Sequence, residues 1–283
     1  MTVINTNTGS LYAQQSMTTN ARGLSTVMQQ LSTGKRINNA VDDVAGMAIS
    51  TRLTSQIRGL NQAIRNTNDG ISLIQTAEGA TEQVTNMLQR MRELAVQASN
   101  DTNNSNDRSY LNLEFQALTS QIDNIANYTQ WNGSNILNRS NGTAVGTSGV
   151  FNFQVGANSG QTISITFSNM TTESGKGVLS TVAGNNITGT SSSSAALGVI
   201  ISALDTVSFA RSNMGAVISR LQFTSDNLAN VTAKTQESRS RIEDTDYSQA
   251  TTELAKRNII QQAAQAMLAQ ANQAPQMVLQ LLR

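Results

Sequence analysis

The sequence predicts a mainly α-helical fold: a long antiparallel coiled-coil or helical-bundle rod, with a small β-hairpin region in the middle of the chain. Three observations lead there. Apolar residues recur by threes and fours across two stretches, 44–98 and 196–242, each longer than an ordinary globular helix. Aromatic residues are only 4% of the composition and there is a single Pro, which suits helices packed side by side better than a bulky core. The period drops to two only between those stretches.

The first element runs through Ile4, Leu11, Leu24, Val27, Met28 and Leu31, an apolar stripe set among Gln, Ser, Thr and Asn. No acidic residue occurs from Met1 to Val41. Composition leaves two readings open, a floppy terminus and a segment that orders only against other copies of the chain. Ser32 to Ala40 breaks the pattern with Gly34 and an Asn pair, and Asp42 or Asp43 is placed to cap the helix that follows.

That helix, from Val44 to Ala98, carries Leu53, Ile57, Leu60, Ile64, Ile71 and Ile74 on one narrow stripe, with Thr67 filling a gap. Ala77, Val84, Met87, Met91, Leu94 and Ala98 continue it. Gly46, Gly59, Gly70 and Gly79 each cost about 1 kcal/mol relative to Ala. Asn66 to Gly70 is the weakest run. One continuous helix is expected, its glycines explained by close approach of a neighbouring backbone.

Asn100 to Asn106 reads as a turn, and Leu111, Phe115, Leu118, Ile122 and Ile125 as a second core helix ended by Tyr128 to Gly133. Phe151, Phe153 and Val155 alternate, as do Ile163, Ile165 and Phe167, which is a hairpin signature around Gly156 to Gln161. Thr188 to Ser194 reads as a Ser/Thr-rich linker or loop. Helical spacing returns at Ala196, with Leu197, Ile201, Leu204, Val207, Met214, Ile218, Leu221, Leu228 and Ile242 on the seam. Glu243 to Tyr247 is an acidic junction before a last helix with a wide apolar face, including Leu254, Ile259, Ile260, Met267, Leu268, Val278, Leu281 and Leu282.

A net charge of +1 argues against a nucleic-acid partner. With no His and no Cys, a zinc site built on those ligands and thiol or imidazole chemistry are excluded. The carboxylate pairs Asp42-Asp43 and Asp244/Asp246 fall at helix ends, where capping accounts for them. No enzyme activity, cofactor or metal is expected. Met1 to Ala21 lacks the basic start and apolar run of a cleaved signal peptide, and Gln265 to Leu282 is too broken by polar residues to span a membrane.

The order of elements is nearly symmetric about the β region. It implies a terminal coiled-coil domain (1–42 with 243–283) and a helical core domain (43–134 with 195–242). The hairpin and loop region, 135–194, would sit at the rod tip as part of the core domain, with no separate outer domain. The terminal apolar faces are too wide for one two-helix contact, so further subunits should cover them. Contacts that do not close into a ring give a helical filament.

The residues Leu31-Ser32-Thr33-Gly34-Lys35-Arg36-Ile37-Asn38-Asn39-Ala40-Val41-Asp42-Asp43-Val44-Ala45-Gly46 resemble the N-terminal signature of bacterial flagellins. Asn68 to Ser72, Leu88 to Gln97, Phe153 to Asn158 and Val278 to Arg283 also resemble that family, over about residues 1–140 and 195–283.

The resemblance implies a flagellar filament subunit for swimming motility, exported without a cleaved signal through the flagellum's own type III channel. Polymerisation would follow under a distal cap, with junction proteins and an export chaperone as further partners and an extracellular location. It assigns polymerisation to Ile4, Leu11, Leu24, Leu31, Leu254, Ile260, Met267, Leu268, Val278, Leu281, Leu282 and Arg283. It further implies recognition by the flagellin-sensing Toll-like receptor through Arg90, Leu94 and Glu114, within a patch that includes Gln89, Glu93 and Gln97. Leu94 also lies on the seam spacing, and Arg90 and Glu114 also suit salt bridges to a neighbouring subunit. Leu281 to Arg283 resembles the segment sensed by cytosolic inflammasome receptors. The alternative within the same organelle is a hook–filament junction protein.

Overall fold

The structure is a computed structural model describing residues 6–138, 149–172 and 177–281, with side chains as far as residue 273. In chain order the elements are α1 (Thr8–Thr33), α2 (Val44–Ala98), α3 (Ser105–Tyr128), β1 (Gln130–Trp131) and β2 (Ser134–Asn135). They continue with β3 (Val150–Gln154), β4 (Thr162–Thr166), α4 (Ser180–Ala183), α5 (Thr190–Glu243) and α6 (Tyr247–Leu281). The chain divides into two compact units, Met1–Ile57 with Ala233–Arg283, and Arg58–Thr232.

In the second unit, α2, α3 and α5 bury one continuous apolar cluster. Ile74, Ala77, Val84, Leu88, Met91, Leu94 and Ala98 of α2 are wholly buried, and Phe115 and Ile122 of α3 join them. Helix α2 runs unbroken through Asn66 to Gly70, as its spacing predicts. The seam Thr67 is fully buried and donates its hydroxyl to the Ala63 carbonyl at 2.7 Å, so the polar gap costs no unpaired group. The neighbour at the weakest glycine is not backbone: a Cβ on Gly70 would lie 3.0 Å from the Phe153 ring. At Gly59 a neighbouring backbone does approach, with the Ala157 Cα 3.4 Å from the position of a Cβ, and at Gly79 the space is open.

The seam of α5 keeps the predicted Val207, Met214, Leu221 and Leu228 and differs from the prediction in its other positions. Its buried rows are Ala196, Ala203, Ala210 and Val217, then Ile200, Val207, Met214, Leu221 and Leu228, each at heptad spacing. Ile201 is 44% exposed, and Leu197 and Leu204 are only partly covered. Large residues dominate a reading by hydrophobicity, but here alanines occupy one of the two contact rows.

Helix α5 also starts earlier than expected. Thr190 to Ser194 is helical rather than a linker. The Gly189 N–H donates to Ser192 Oγ at 3.0 Å, and the buried Ser193 hydroxyl donates to the Gly189 carbonyl at 2.8 Å. Hydroxyls that suggest a loop in sequence thus serve as the start of a helix. Helix α6 continues through Pro275 to Leu281.

The predicted hairpin forms as β3–β4, and its register sets Phe151 opposite Ile165 and Phe153 opposite Ile163. Phe151 and Phe167 meet edge to face at 5.5 Å. The Asn66 amide donates to the Gln154 carbonyl at 3.1 Å and ties the hairpin to α2. A second, shorter hairpin, β1–β2, pairs Trp131 with Ser134 across Asn132 and Gly133, whose φ angles are 49° and 78°. Asn-Gly is a strong signal for this tight turn, and the sequence reading passed over it as a helix end.

Candidate assembly and recognition surfaces

Two regions carry the residues singled out by sequence. The first lies in the unit formed by the chain's outer segments, where α1 packs along α6. Helix α1 buries only Asn20 and Val27, so most of its apolar stripe remains open. Leu11 is 56% exposed, Met267 is 61% and Ile260 is 42%, while Leu24, Leu31, Leu254 and Leu268 are half-buried. Tyr12, Met28 and Ile259 add to the exposed apolar surface. Ile4, Leu282 and Arg283 lie outside the described residues, as do the side chains of Val278 and Leu281.

The connection at the inner ends of these helices is a clasp that sequence reasoning missed beyond noting its acidic residues. Gly34 ends α1 with φ of 71° and accepts from the Thr245 N–H at 3.0 Å. The Lys35 backbone pairs with that of Asp244 in an antiparallel β-bridge, and the Arg36 guanidinium donates to the Ile242 carbonyl at 2.8 Å, closing the C-terminus of α5. Glu243 sits between Lys35 Nζ at 2.5 Å and the Ser50 hydroxyl at 2.5 Å. The Lys35 contact first and the Ser50 hydrogen bond second hold its carboxyl below the usual Glu range, against the opposing effect of partial burial. A glutamate followed by a helix start was visible in sequence, but its partners lie about two hundred positions away.

Other acidic residues near these helix ends serve the backbone. Asp43 accepts from the Gly46 N–H at 2.8 Å and caps α2, Asp42 accepts from Asn38 and Asn39, and Asp246 accepts from Ser248.

The second region is an exposed ion cluster on α2 and α3. Arg90 Nε donates to Glu114 at 2.9 Å and Arg90 Nη1 to Glu93 at 2.9 Å. The Glu114 contact first, then Glu93, raises the Arg90 pKa above its ordinary value. Arg90 and Glu114 are therefore partners within one chain. The capping box of Asn104 and Asp107 starts α3 in the register that allows this. Gln89 and Gln97 are exposed beside the cluster, whereas Leu94 is completely buried in the core. Spacing places Arg90 and Leu94 one turn apart, but the boundary of burial runs between them. Tyr110, Leu113 and Val96 are large exposed apolar residues of the same two helices that the sequence reading did not select.

Taken together, these features define a helical structural protein: terminal helices with uncovered apolar faces and a heptad-packed core. Comparison with known proteins supplies the family. The model of the bacterial flagellin N-terminal helical region matches residues 4–142, and that of the C-terminal helical region matches residues 183–282. A flagellin of Halalkalibacterium halodurans is 45% identical over 99% of this chain and 100% of its own length. A flagellin of Bacillus subtilis is 40% identical over 99% of each chain. The flagellar filament 33 kDa core protein of Treponema phagedenis is 36% identical over 99% of this chain and 100% of its own. The crystal structure of Bacillus cereus flagellin superposes with a TM-score of 0.51 at 29% identity, covering 58% of this chain and 88% of that one. The chain belongs to the bacterial flagellin family, whose members are structural subunits of the flagellar filament and not enzymes. Nothing in these matches favours the junction-protein alternative.

Proposed function

We propose that the chain polymerises into the flagellar filament through α1 and α6, and that contacts between subunits cover the apolar residues these helices leave open. The observation that carries the reading is the exposure of Leu11, Met28, Ile260 and Met267 on helices nearly free of acidic charge. An uncovered apolar face of this kind is stabilised by burial at about 25 cal/mol per Å². The assembly domain is 1–42 with 243–283, the supporting helical domain is 43–134 with 195–242, and 135–194 adds no separate outer domain. Export without a cleaved signal, a distal cap, junction proteins and an export chaperone complete the reading. Deleting Ala264 to Arg283 tests it: soluble, partly helical subunits that do not extend filament seeds are expected in electron micrographs. Seeds that elongate normally with the truncated chain would overturn it.

A second reading, recognition of the monomer by the flagellin-sensing Toll-like receptor, is favoured by the exposed and mutually held Arg90, Glu93 and Glu114. Ion pairs within the chain hold the guanidinium in one orientation before any partner arrives. Gln89 and Gln97 border this surface, and Leu94 supports it from beneath. Arg90→Ala should weaken receptor signalling by monomer while leaving far-UV circular dichroism unchanged; an unaltered dose response would remove the assignment. Sensing of Leu281 to Arg283 by cytosolic receptors is carried by family resemblance alone.

A further inference from the structure

The geometry points to a keyed joint that fixes the register of the α1–α6 pair, built from Asn20, Gly23 and Arg257. It rests on the proposed pairing of terminal helices in filaments and adds to it the residues that choose the alignment. Seams of this composition leave register weakly specified, because α6 repeats Ala and Gln along most of its length. Polar groups inside an apolar seam are a general means of selecting one alignment.

The α1–α6 pair has such groups in step. The Asn20 side-chain amide, 6% exposed, donates to the Arg257 carbonyl at 2.9 Å. Thirteen positions earlier, Asn7 caps α1 through its carbonyl oxygen and donates its amide to the Ala271 carbonyl at 2.7 Å. Fourteen positions separate Ala271 from Arg257, so both contacts belong to one antiparallel alignment. Tyr247 reaches the Leu31 carbonyl in the same alignment, at 3.4 Å.

Carbonyls recur at every residue of a helix, so the amide contacts alone do not exclude a slipped pairing. The feature that differs between alignments is the seat of Arg257 on Gly23. Its guanidinium lies across α1 where a Cβ on Gly23 would stand only 1.8 Å from Nη1, and its Nε is 3.0 Å from the Glu253 carboxylate. A slide of one heptad would bring the guanidinium against Ser16 or Gln30, both of which carry side chains. Gly9 lies two heptads from Gly23, and a slide of that length would seat Arg257 again at the loss of four turns of contact. Asn20 and Gly23 on α1 and Arg257 on α6 are thus positioning residues for terminal pairing.

The chain has no cysteine, so engineered pairs report register cleanly. Gly9→Cys with Ala271→Cys marks the observed alignment, since a Cβ on Gly9 lies 3.9 Å from the Ala271 Cβ, close to the ~3.8 Å of a disulfide. Gly9→Cys with Ala264→Cys marks a one-heptad slip. Full-length chains assembled into filaments are oxidised, and non-reducing gels separate intrachain from interchain products. In the otherwise native chain the first pair should close within the chain, and the second at no more than about one-tenth of that yield, the discrimination expected when a slip crowds the Arg257 guanidinium out of its seat on Gly23. Adding Asn20→Leu and Arg257→Ala, both compatible with helix, should raise the slipped share about tenfold or more. An unchanged slipped share, with the in-register pair still closing, overturns the key. Failure of the in-register pair in the native background overturns instead the α1–α6 pairing on which it rests. Where the substituted chain does not polymerise alone, the same yields are read from a small fraction copolymerised with native subunits.

Discussion

Leu94→Ala is the substitution that most sharply separates packing from surface recognition. Leu94 is wholly buried in the cluster that also contains Met91, Phe115 and Ile122, so truncation leaves a cavity that the flanking helices only partly fill. Lost transfer energy plus the cavity term puts the cost at about 3 kcal/mol, within a range of roughly 2–5. At about 2–4 °C per kcal/mol for a domain of this size, the thermal midpoint should fall by about 6–12 °C. The chain's single tryptophan, Trp131, packs partly buried against the same cluster and reports its unfolding by fluorescence in urea. The midpoint should drop with an unchanged slope, since the surface exposed on unfolding is nearly the same. Arg90→Ala, at an exposed ion cluster, should leave that midpoint in place. Below its transition, Leu94→Ala monomer should therefore signal nearly as well as the native chain, in contrast to Arg90→Ala. A destabilisation under about 1 kcal/mol would refute the reasoning from burial. Full folding with signalling as weak as that of Arg90→Ala would refute the assignment of Leu94 to packing.

Other perturbations follow from the same contacts. Glu243 has its folded pKa lowered by Lys35 and Ser50, so its stabilisation is present above the ordinary value of 4.5 and is lost as pH falls below it toward the folded value. Glu243→Gln should flatten the acid-side loss of helix stability in the clasp, measured by circular dichroism against pH; a profile that superposes on the native one would rule this out. Gly70→Val should displace the Phe153 ring and destabilise by about 1–3 kcal/mol through overpacking, read again from Trp131 fluorescence. An unshifted urea midpoint would mean that the ring moves aside freely. Gly133→Val, at φ of 78°, should loosen the β1–β2 turn and increase amide exchange at Trp131, and protection equal to native would count against the strain.

Much of the architecture was legible because helices and strands write their periods into the chain. Val44 to Ala98 is helical throughout because one stripe of apolar residues runs its whole length, and Thr67 fits that stripe by bonding its own backbone. The alternation of Phe151, Phe153, Ile163 and Ile165 likewise marked the two strands of the hairpin, while their register came from the structure. The pair Asp42-Asp43 marked the start of α2 by position, and the structure gives the cap to Asp43.

What the period cannot express is where a partner stands. Ala196, Ala203 and Ala210 became a contact row because the second unit packs α5 closely enough for small side chains to touch, and that distance belongs to the fold. Ile200 rather than Ile201 turned inward for the same reason. Arg90 and Leu94 share a turn, but only the placement of α3 put one in an ion cluster and the other in the core. Glu243 reads in sequence as one more acidic residue at a helix end. The return of Lys35 and Ser50 to its side made it a clasp, because a side chain's charge state and role depend on neighbours that folding brings from far along the chain. The sequence by itself determined the helices, the hairpin and the family; the tertiary structure decided which face of each element is covered and which is left open.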